Sequence, residues 1–250
     1  MNVQALKIGL FIPCYIDQFY PNVGKATYKL LKKIGLEVDY PLAQTCCGQP
    51  MANSGNEKEA IRLYKNFVDC FKNYDYIVSP SGSCVYHIKE HYNIIEQTSA
   101  VQEVRKNIYE LTAFLIDILK IQNFDITFPF KVGIHQSCHG LRGLKLGTPS
   151  ELITQGTSKI HQLLEPLRGI EIINLNRKDE CCGFGGTFSI NMPDISVRMG
   201  EDRLKDHLQN GAEIITSTDM SCIMHLEGLA RRQHQKIKFL HIAEILTSNS

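Results

Sequence analysis

The sequence predicts an α/β protein of two pseudo-symmetric halves, each a parallel sheet flanked by helices with cysteines at the C-terminal ends of its strands. Three observations carry that expectation. Short apolar runs alternate with amphipathic stretches of helical period, the pattern of strand–turn–helix units around a parallel sheet. The pattern occurs twice: residues 131–138 repeat residues 7–14 in hydropathy, including the Lys-x-Gly opening. Finally, Cys-Cys-Gly occurs twice, at Cys46-Cys47-Gly48 and Cys181-Cys182-Gly183, each time with one single cysteine well upstream and another well downstream.

In the first half, residues 7–13 are a nearly continuous apolar run that suits a buried parallel strand, and Cys14 falls just past its end. Residues 21–34 carry an apolar stripe through Tyr28, Leu30, Leu31 and Ile34, and Gly35 closes that helix. Residues 36–41 are a second strand, followed within a few residues by the Cys46-Cys47-Gly48 turn. Residues 56–73 read as a long amphipathic helix, 76–79 as a third strand, 80–84 as the turn after it, and 85–92 as the start of another helix. The stretch 94–125, with Val101, Val104, Ile108, Leu111, Phe114, Leu115 and Ile118, reads as helical throughout.

The second half restarts after Phe128-Pro129-Phe130. Its strands are expected within 131–137, at 170–175 and at 213–216, each followed by cysteine: Cys138, then Cys181 and Cys182, then Cys222. Ser83-Cys84-Val85-Tyr86-His87-Ile88 aligns with Ser221-Cys222-Ile223-Met224-His225-Leu226 without a gap. Residues 238–241 add a final strand and 242–246 a closing helix. The expected domains are 1–125 and 126–250, packed tightly because no Gly/Ser/Pro-rich linker separates them.

Composition narrows the function. A hydrophobic fraction of 43% and charged fraction of 21% are those of a globular protein, and a net charge of +1 gives no bulk attraction to nucleic acid or anionic membrane. No apolar run approaches the ~20 residues of a membrane-spanning helix. The opening Met1-Asn2-Val3-Gln4-Ala5-Leu6-Lys7 has no signal-peptide pattern, so a cytoplasmic location is expected. In a reducing compartment, clustered cysteines more often bind metal or do redox chemistry than form disulfides.

Eight of the nine cysteines fall into two sets of one form: Cys14, Cys46, Cys47, Cys84 and Cys138, Cys181, Cys182, Cys222. The ninth, Cys70, lies within the long helix and reads as a core residue. Strand exits of an open parallel sheet lie along one edge, so cysteines distant in sequence meet there. Helix N-termini at that edge favour thiolates through their partial positive charge and free N–H groups. Each set is therefore a candidate nest for a [4Fe–4S] cluster, which takes four thiolates, or for zinc, which also takes four. Three well-separated loops suit a cofactor better than a structural zinc knuckle, but the spacing leaves both metals open, including one of each. In that mixed case the cluster is expected in the second half, whose Gly183-Phe184-Gly185-Gly186 turn offers more close-approaching backbone. His87 and His225, three residues after Cys84 and Cys222, read as packing or hydrogen-bonding groups beside the thiols rather than ligands. His135 and His139 flank Cys138, and His139 with Arg142 would hold a carboxylate or balance cluster charge. No GxGxxG fingerprint or nucleotide cradle accompanies these sets, which favours electron relay.

Several stretches together resemble a known family. They are Phe11-Ile12-Pro13-Cys14-Tyr15, Cys46-Cys47-Gly48-Gln49-Pro50, Ser81-Gly82-Ser83-Cys84, Cys181-Cys182-Gly183-Phe184-Gly185-Gly186-Thr187-Phe188 and Asp219-Met220-Ser221-Cys222-Ile223-Met224-His225. The pattern is similar to the cysteine-rich CCG domain, present twice. This domain also occurs in the B subunit of heterodisulfide reductase and in glycolate oxidase iron–sulfur subunits. From about residue 6 to 245 the chain most resembles the family of lactate utilisation A proteins. Heterodisulfide reductase ends each set in Cys-x-x-Cys, whereas here Ser81 and Asp219 take the first of those positions. That difference favours a four-thiolate cubane over a five-thiolate cluster, with Ser81 or Asp219 as an oxygen ligand a further option. The resemblance implies an iron–sulfur electron-transfer component of a cytosolic complex that oxidises L-lactate to pyruvate. Its implied partners are a ferredoxin-like iron–sulfur protein and a third small subunit. Two other readings stay open: a zinc-stabilised scaffold subunit, and a thiol/disulfide oxidoreductase of the heterodisulfide reductase type.

Overall fold

A computed structural model describes residues 6–153 and 156–248; the opening residues 1–5 lie outside it. The chain divides into two compact units, residues 1–119 and 120–250. The first runs β1 (Lys7–Leu10), α1 (Cys14–Phe19), α2 (Pro21–Lys33), β2 (Glu37–Asp39), α3 (Gln49–Asn53), α4 (Glu57–Phe71), β3 (Tyr76–Ser79), α5 (Gly82–His91), α6 (Ser99–Asn107), β4 (Ile108–Glu110) and α7 (Leu111–Ala113). The second runs β5 (Lys131–Ile134), α8 (Lys159–Leu164), β6 (Glu171–Ile172), α9 (Thr187–Asn191), α10 (Pro193–Gln209), β7 (Ile214–Ser217), α11 (Met220–Arg232), β8 (Lys238–His241) and α12 (Ile242–Ile245).

Each unit holds a four-stranded, all-parallel sheet, ordered β2-β1-β3-β4 in the first and β6-β5-β7-β8 in the second. The inner strands are buried on both faces and read as unbroken apolar runs for that reason: Ile8, Leu10, Ile77 and Val78 are at most 2% exposed. The order reverses between the first and third strands of each unit, and a crevice opens at such a switch point beyond the strands' C-terminal ends. Matching side-chain bonds anchor the start of both sheets. Asp75 accepts from the Lys7 backbone N–H at 2.8 Å, and Glu213 from that of Lys131 at 2.8 Å.

The stretch 94–125 is not one helix. Ile108-Tyr109-Glu110 forms β4, paired in parallel with β3 through Ile77↔Ile108 and Val78↔Tyr109. A short Ile-Tyr-Glu strand fits inside a helical period, so periodicity gave the wrong element there. The helix carrying Cys84 begins at Gly82, not after the cysteine, because Ser81 caps it; Thr98 caps α6 in the same way.

Two glycines of the same left-handed backbone conformation separate a simple turn from a close approach. Gly35 has φ +92° with open space around it, whereas at Gly48 (φ +88°) an added Cβ would stand 2.6 Å from Tyr64 Cε1. Gly35→Ala should therefore cost only the left-handed conformation, ~1–2 kcal/mol. Gly48→Ala should add an overpacking penalty of ~1–3 kcal/mol to the same conformational cost. Urea unfolding of the two variants checks this, and equal losses would mean that the Tyr64 contact is unimportant.

Candidate metal centres

Four cysteines converge at the switch point of the first unit. Cys14 opens α1 directly after the β1 exit, Cys46 and Cys47 lie in the loop after β2, and Cys84 sits in the first turn of α5 after β3. The sulfurs of Cys14 and Cys46 lie 3.8 Å apart and those of Cys47 and Cys84 3.4 Å apart, both within hydrogen-bonding reach. Cys46 and Cys47 also share a hydrogen bond, so the four form one string of contacts. In the second unit Cys138, Cys181, Cys182 and Cys222 form the same string. All eight are free of disulfides.

The paired cysteines need the left-handed glycine after them. Gly48 and Gly183 have φ of +88° and +86°, a left-handed turn directly after each pair that glycine adopts without strain. Gly48 N–H donates to Cys46 Sγ at 3.4 Å, Gly183 N–H to Cys181 Sγ at 3.3 Å, and Phe184 N–H to Cys182 Sγ at 3.5 Å. A Cβ on Gly183 would stand 2.6 Å from the Ser196 carbonyl oxygen. Gly185 and Gly186 serve a different end: they turn the chain into α9.

The loops before the pairs are pinned differently. In the first unit, Gln44 accepts from Ile12 N–H at 2.9 Å and donates to the Leu10 carbonyl at 3.2 Å, tying the loop to the β1 exit. In the second, Asp206 of α10 accepts from the backbone N–H of Asn176 and of Arg177, both at 3.1 Å.

The positions where heterodisulfide reductase carries its extra cysteine cap helices instead. Ser81 accepts from Cys84 N–H at 3.4 Å, and Asp219 accepts from Ser221 N–H at 3.2 Å and its hydroxyl at 2.7 Å. His87 is buried and bonded to the Tyr64 hydroxyl at 3.0 Å; His225 meets the Ser196 carbonyl at 3.2 Å. Arg142 makes a two-pronged ion pair with Glu151 at 2.6 and 3.0 Å, so its carboxylate partner is supplied by the chain itself. Cys70, expected in the core, is only half-buried.

Two features escaped sequence reasoning. His135, Cys182 and Cys222 place one ligand atom each within 4.8 Å of one another, a group in which the histidine comes from the β5 exit and not from the cysteine-bearing helix. A cavity of about 220 Å³ also opens beside β5 and β6, its mixed lining including Ile134, Leu175, Ser158, His161, Lys178 and Asp179. Its residues come from β5, α8 and the loops around them and carry no shared motif.

The donor chemistry fits a thiophilic metal ion or an iron–sulfur cluster. Hydrogen bonds from Cys14 and then Cys47 hold the Cys46 thiol down at about 3. Those from Cys138 and then Cys182 hold Cys181 at about 2. Their partners move the other way: bonding to Cys46 raises Cys14 and Cys47, and bonding to Cys181 raises Cys138 and Cys182. Among the described residues no helix is long and apolar enough to cross a membrane.

A group with a lowered pKa stays deprotonated as pH falls toward that value, so Cys46 and Cys181 are thiolates across the neutral range. In metal-free, reduced protein their alkylation by iodoacetamide should change little between about pH 6 and pH 8. Over that interval Cys70, whose burial raises its pKa, should gain ~100-fold in rate as its thiolate fraction grows. Mass spectrometry of the labelled peptides reads both, and parallel pH profiles at all three sites would overturn the assignment.

Comparison with known proteins gives the family. The family profile described as "Cysteine-rich domain" (CCG) matches residues 8–89 and 132–227, once in each unit. "Lactate utilization protein A" of Oceanobacillus iheyensis is 39% identical over 249 residues, covering 98% of both chains. The proteins of that name from Bacillus licheniformis and Bacillus subtilis are 38% and 36% identical, each over 97% of this chain and all of the relative. With the cysteine-rich domain matched twice and this similarity running over nearly its whole length, the chain belongs to the lactate utilization protein A family.

Proposed function

We propose that the chain is an iron–sulfur electron-transfer component of a cytoplasmic system that oxidises L-lactate to pyruvate. It would work with a ferredoxin-like iron–sulfur protein and a third small subunit. The observation that carries this reading is the pair of four-thiol groups, each assembled at a sheet switch point from three loops. Cys14, Cys46, Cys47 and Cys84 would hold one group; Cys138, Cys181, Cys182 and Cys222 the other. A bound [4Fe–4S] cluster supplies reversible one-electron transfer.

The residues around each set have definite tasks. The N–H groups of Gly48, Gly183 and Phe184 donate to thiolate sulfur, which offsets negative charge and so bears on reduction potential. Cys47, Cys84 and Cys182 are buried, 7% exposed or less, while Cys14, Cys46, Cys138 and Cys181 are partly open. Each set thus has a dry inner side and a solvent-facing side from which an electron partner would approach. The relatives' names supply lactate as the substrate of the system.

A second reading is favoured by one observation: the compact His135, Cys182 and Cys222 group also suits a single tetrahedral zinc ion in the second unit.

Protein purified without oxygen should be brown, with iron and sulfide in near-equal amounts. Cys182→Ser should lose about half of the iron, as expected for two sites that each need their own thiolates. A colourless protein holding only zinc, or loss of all iron from that single change, would sink the two-cluster reading. In a host lacking its own lactate utilization protein A, the intact chain should restore oxidation of L-lactate and Cys47→Ser should not.

A further inference from the structure

The two units correspond residue by residue behind the cysteine pair, and the correspondence exposes a difference. The missing Cβ of Gly48 is faced by Ala60 and Tyr64 of α4; that of Gly183 is faced by Ser196 and Met199 of α10. This register sets Phe67 against Arg203 and Phe71 against His207. The sheet gives the same pairing: an added Cβ on Gly9 would meet Phe71, and one on Gly133 would stand 2.2 Å from His207 Nδ1. At the strand exit, Phe11 corresponds to His135.

In the first unit Phe11, Phe67 and Phe71 form one aromatic cluster, with ring centroids 4.9, 5.9 and 4.5 Å apart. In the second unit the same three places hold His135, Arg203 and His207, each at most 1% exposed. An apolar trio has become a polar one at equal burial. Among the described residues, both ring nitrogens of His135 and of His207, and Nε and Nη2 of Arg203, have no hydrogen-bond partner. Arg203 is held on its other side by Asp206 at 3.3 Å and by the Arg177 carbonyl. Leaving such atoms unpaired costs ~1–3 kcal/mol each, so packing alone gives no reason for the exchange. A ring nitrogen of His135 does have neighbours that could use it, since it lies within 4.8 Å of both Cys182 Sγ and Cys222 Sγ.

We propose that His135 is a nitrogen ligand of the second centre in place of one of its four cysteines, Cys182 and Cys222 staying bound beside it, so that the second centre is a mixed thiolate–imidazole site while the first is all-thiolate. This rests on the reading that the cysteine sets hold metal. Imidazole brings no negative charge, and replacing thiolate by histidine raises the potential of an iron–sulfur centre. The buried Arg203 guanidinium acts in the same direction. The second unit is therefore the place where an electron settles, and the first is the more reducing of the two.

The test uses the full chain with and without ¹⁵N-histidine, loaded anaerobically with iron and sulfide, reduced with dithionite and examined by pulsed EPR. A directly bound imidazole nitrogen should appear, change with the isotope, and be lost in His135→Phe, which installs the residue the first unit carries. The more positive of the two reduction potentials should shift negative in the same variant. Absence of a strongly coupled nitrogen in the unsubstituted protein overturns the proposal, and that measurement needs no variant to fold. A coupling that survives His135→Phe overturns it as well. Loading with cobalt(II) separates the two readings. Nitrogen-coupled cobalt in a protein that takes up no iron would overturn the iron–sulfur reading and keep His135 as a ligand. Iron–sulfur clusters without nitrogen coupling would do the reverse.

Discussion

Parallel pairing of the first and third strands in each unit is the constraint on which the rest of this structure depends. Register matches of Ile8 with Tyr76 and of Val132 with Ile214 bring two strand exits side by side, and the sheet order reverses at that place. Cys14 and Cys84, seventy residues apart in sequence, are neighbours for no other reason. The cysteine pair is followed in each unit by a left-handed glycine, whose N–H donates to the sulfur of the pair's first cysteine. Helices α4 and α10 supply the wall against which that turn is pressed, so turn, wall and strand exits form one mechanical unit in each half.

Duplication has kept this frame and changed what stands behind it. The first unit backs its thiols with Tyr64, which bonds His87 and stacks on Tyr92 at 4.2 Å. At the place of Tyr64 the second unit has Gly200, and His225 reaches the Ser196 carbonyl instead. Together with the exchange of three phenylalanines for His135, Arg203 and His207, this makes one wall aromatic and dry and the other cationic and polar. Two sites of the same thiol count thus sit in different electrostatic surroundings.

The fold class, the twofold repeat and all eight clustered cysteines were legible in the sequence, because a buried strand, a Cys-Cys-Gly turn and a repeated order are local or periodic signals. The third strand at Tyr76–Ser79 and the eighth at Lys238–His241 were read at their observed bounds. The strand Ile108–Glu110 was not, since three residues in a helical rhythm carry no period of their own. His135 was visible beside Cys138, but its neighbours Cys182 and Cys222 come from other loops, and only three-dimensional pairing reveals which cysteine a strand-exit histidine meets. The helix-capping roles of Ser81 and Asp219 follow the usual S/T/D preference, yet the family comparison drew both toward a ligand role.

Those two caps bear on what a metal would have to do for the fold. In small zinc proteins the metal closes the fold, and removing it unfolds the chain. Here the helices bearing Cys84 and Cys222 are finished at their N-termini by the chain's own oxygen atoms, and the thiols of each set already touch one another. The N–H groups at those two helix ends are thus satisfied by side chains of the chain itself, and a bound metal would act on the thiols without having to finish the helices that carry them.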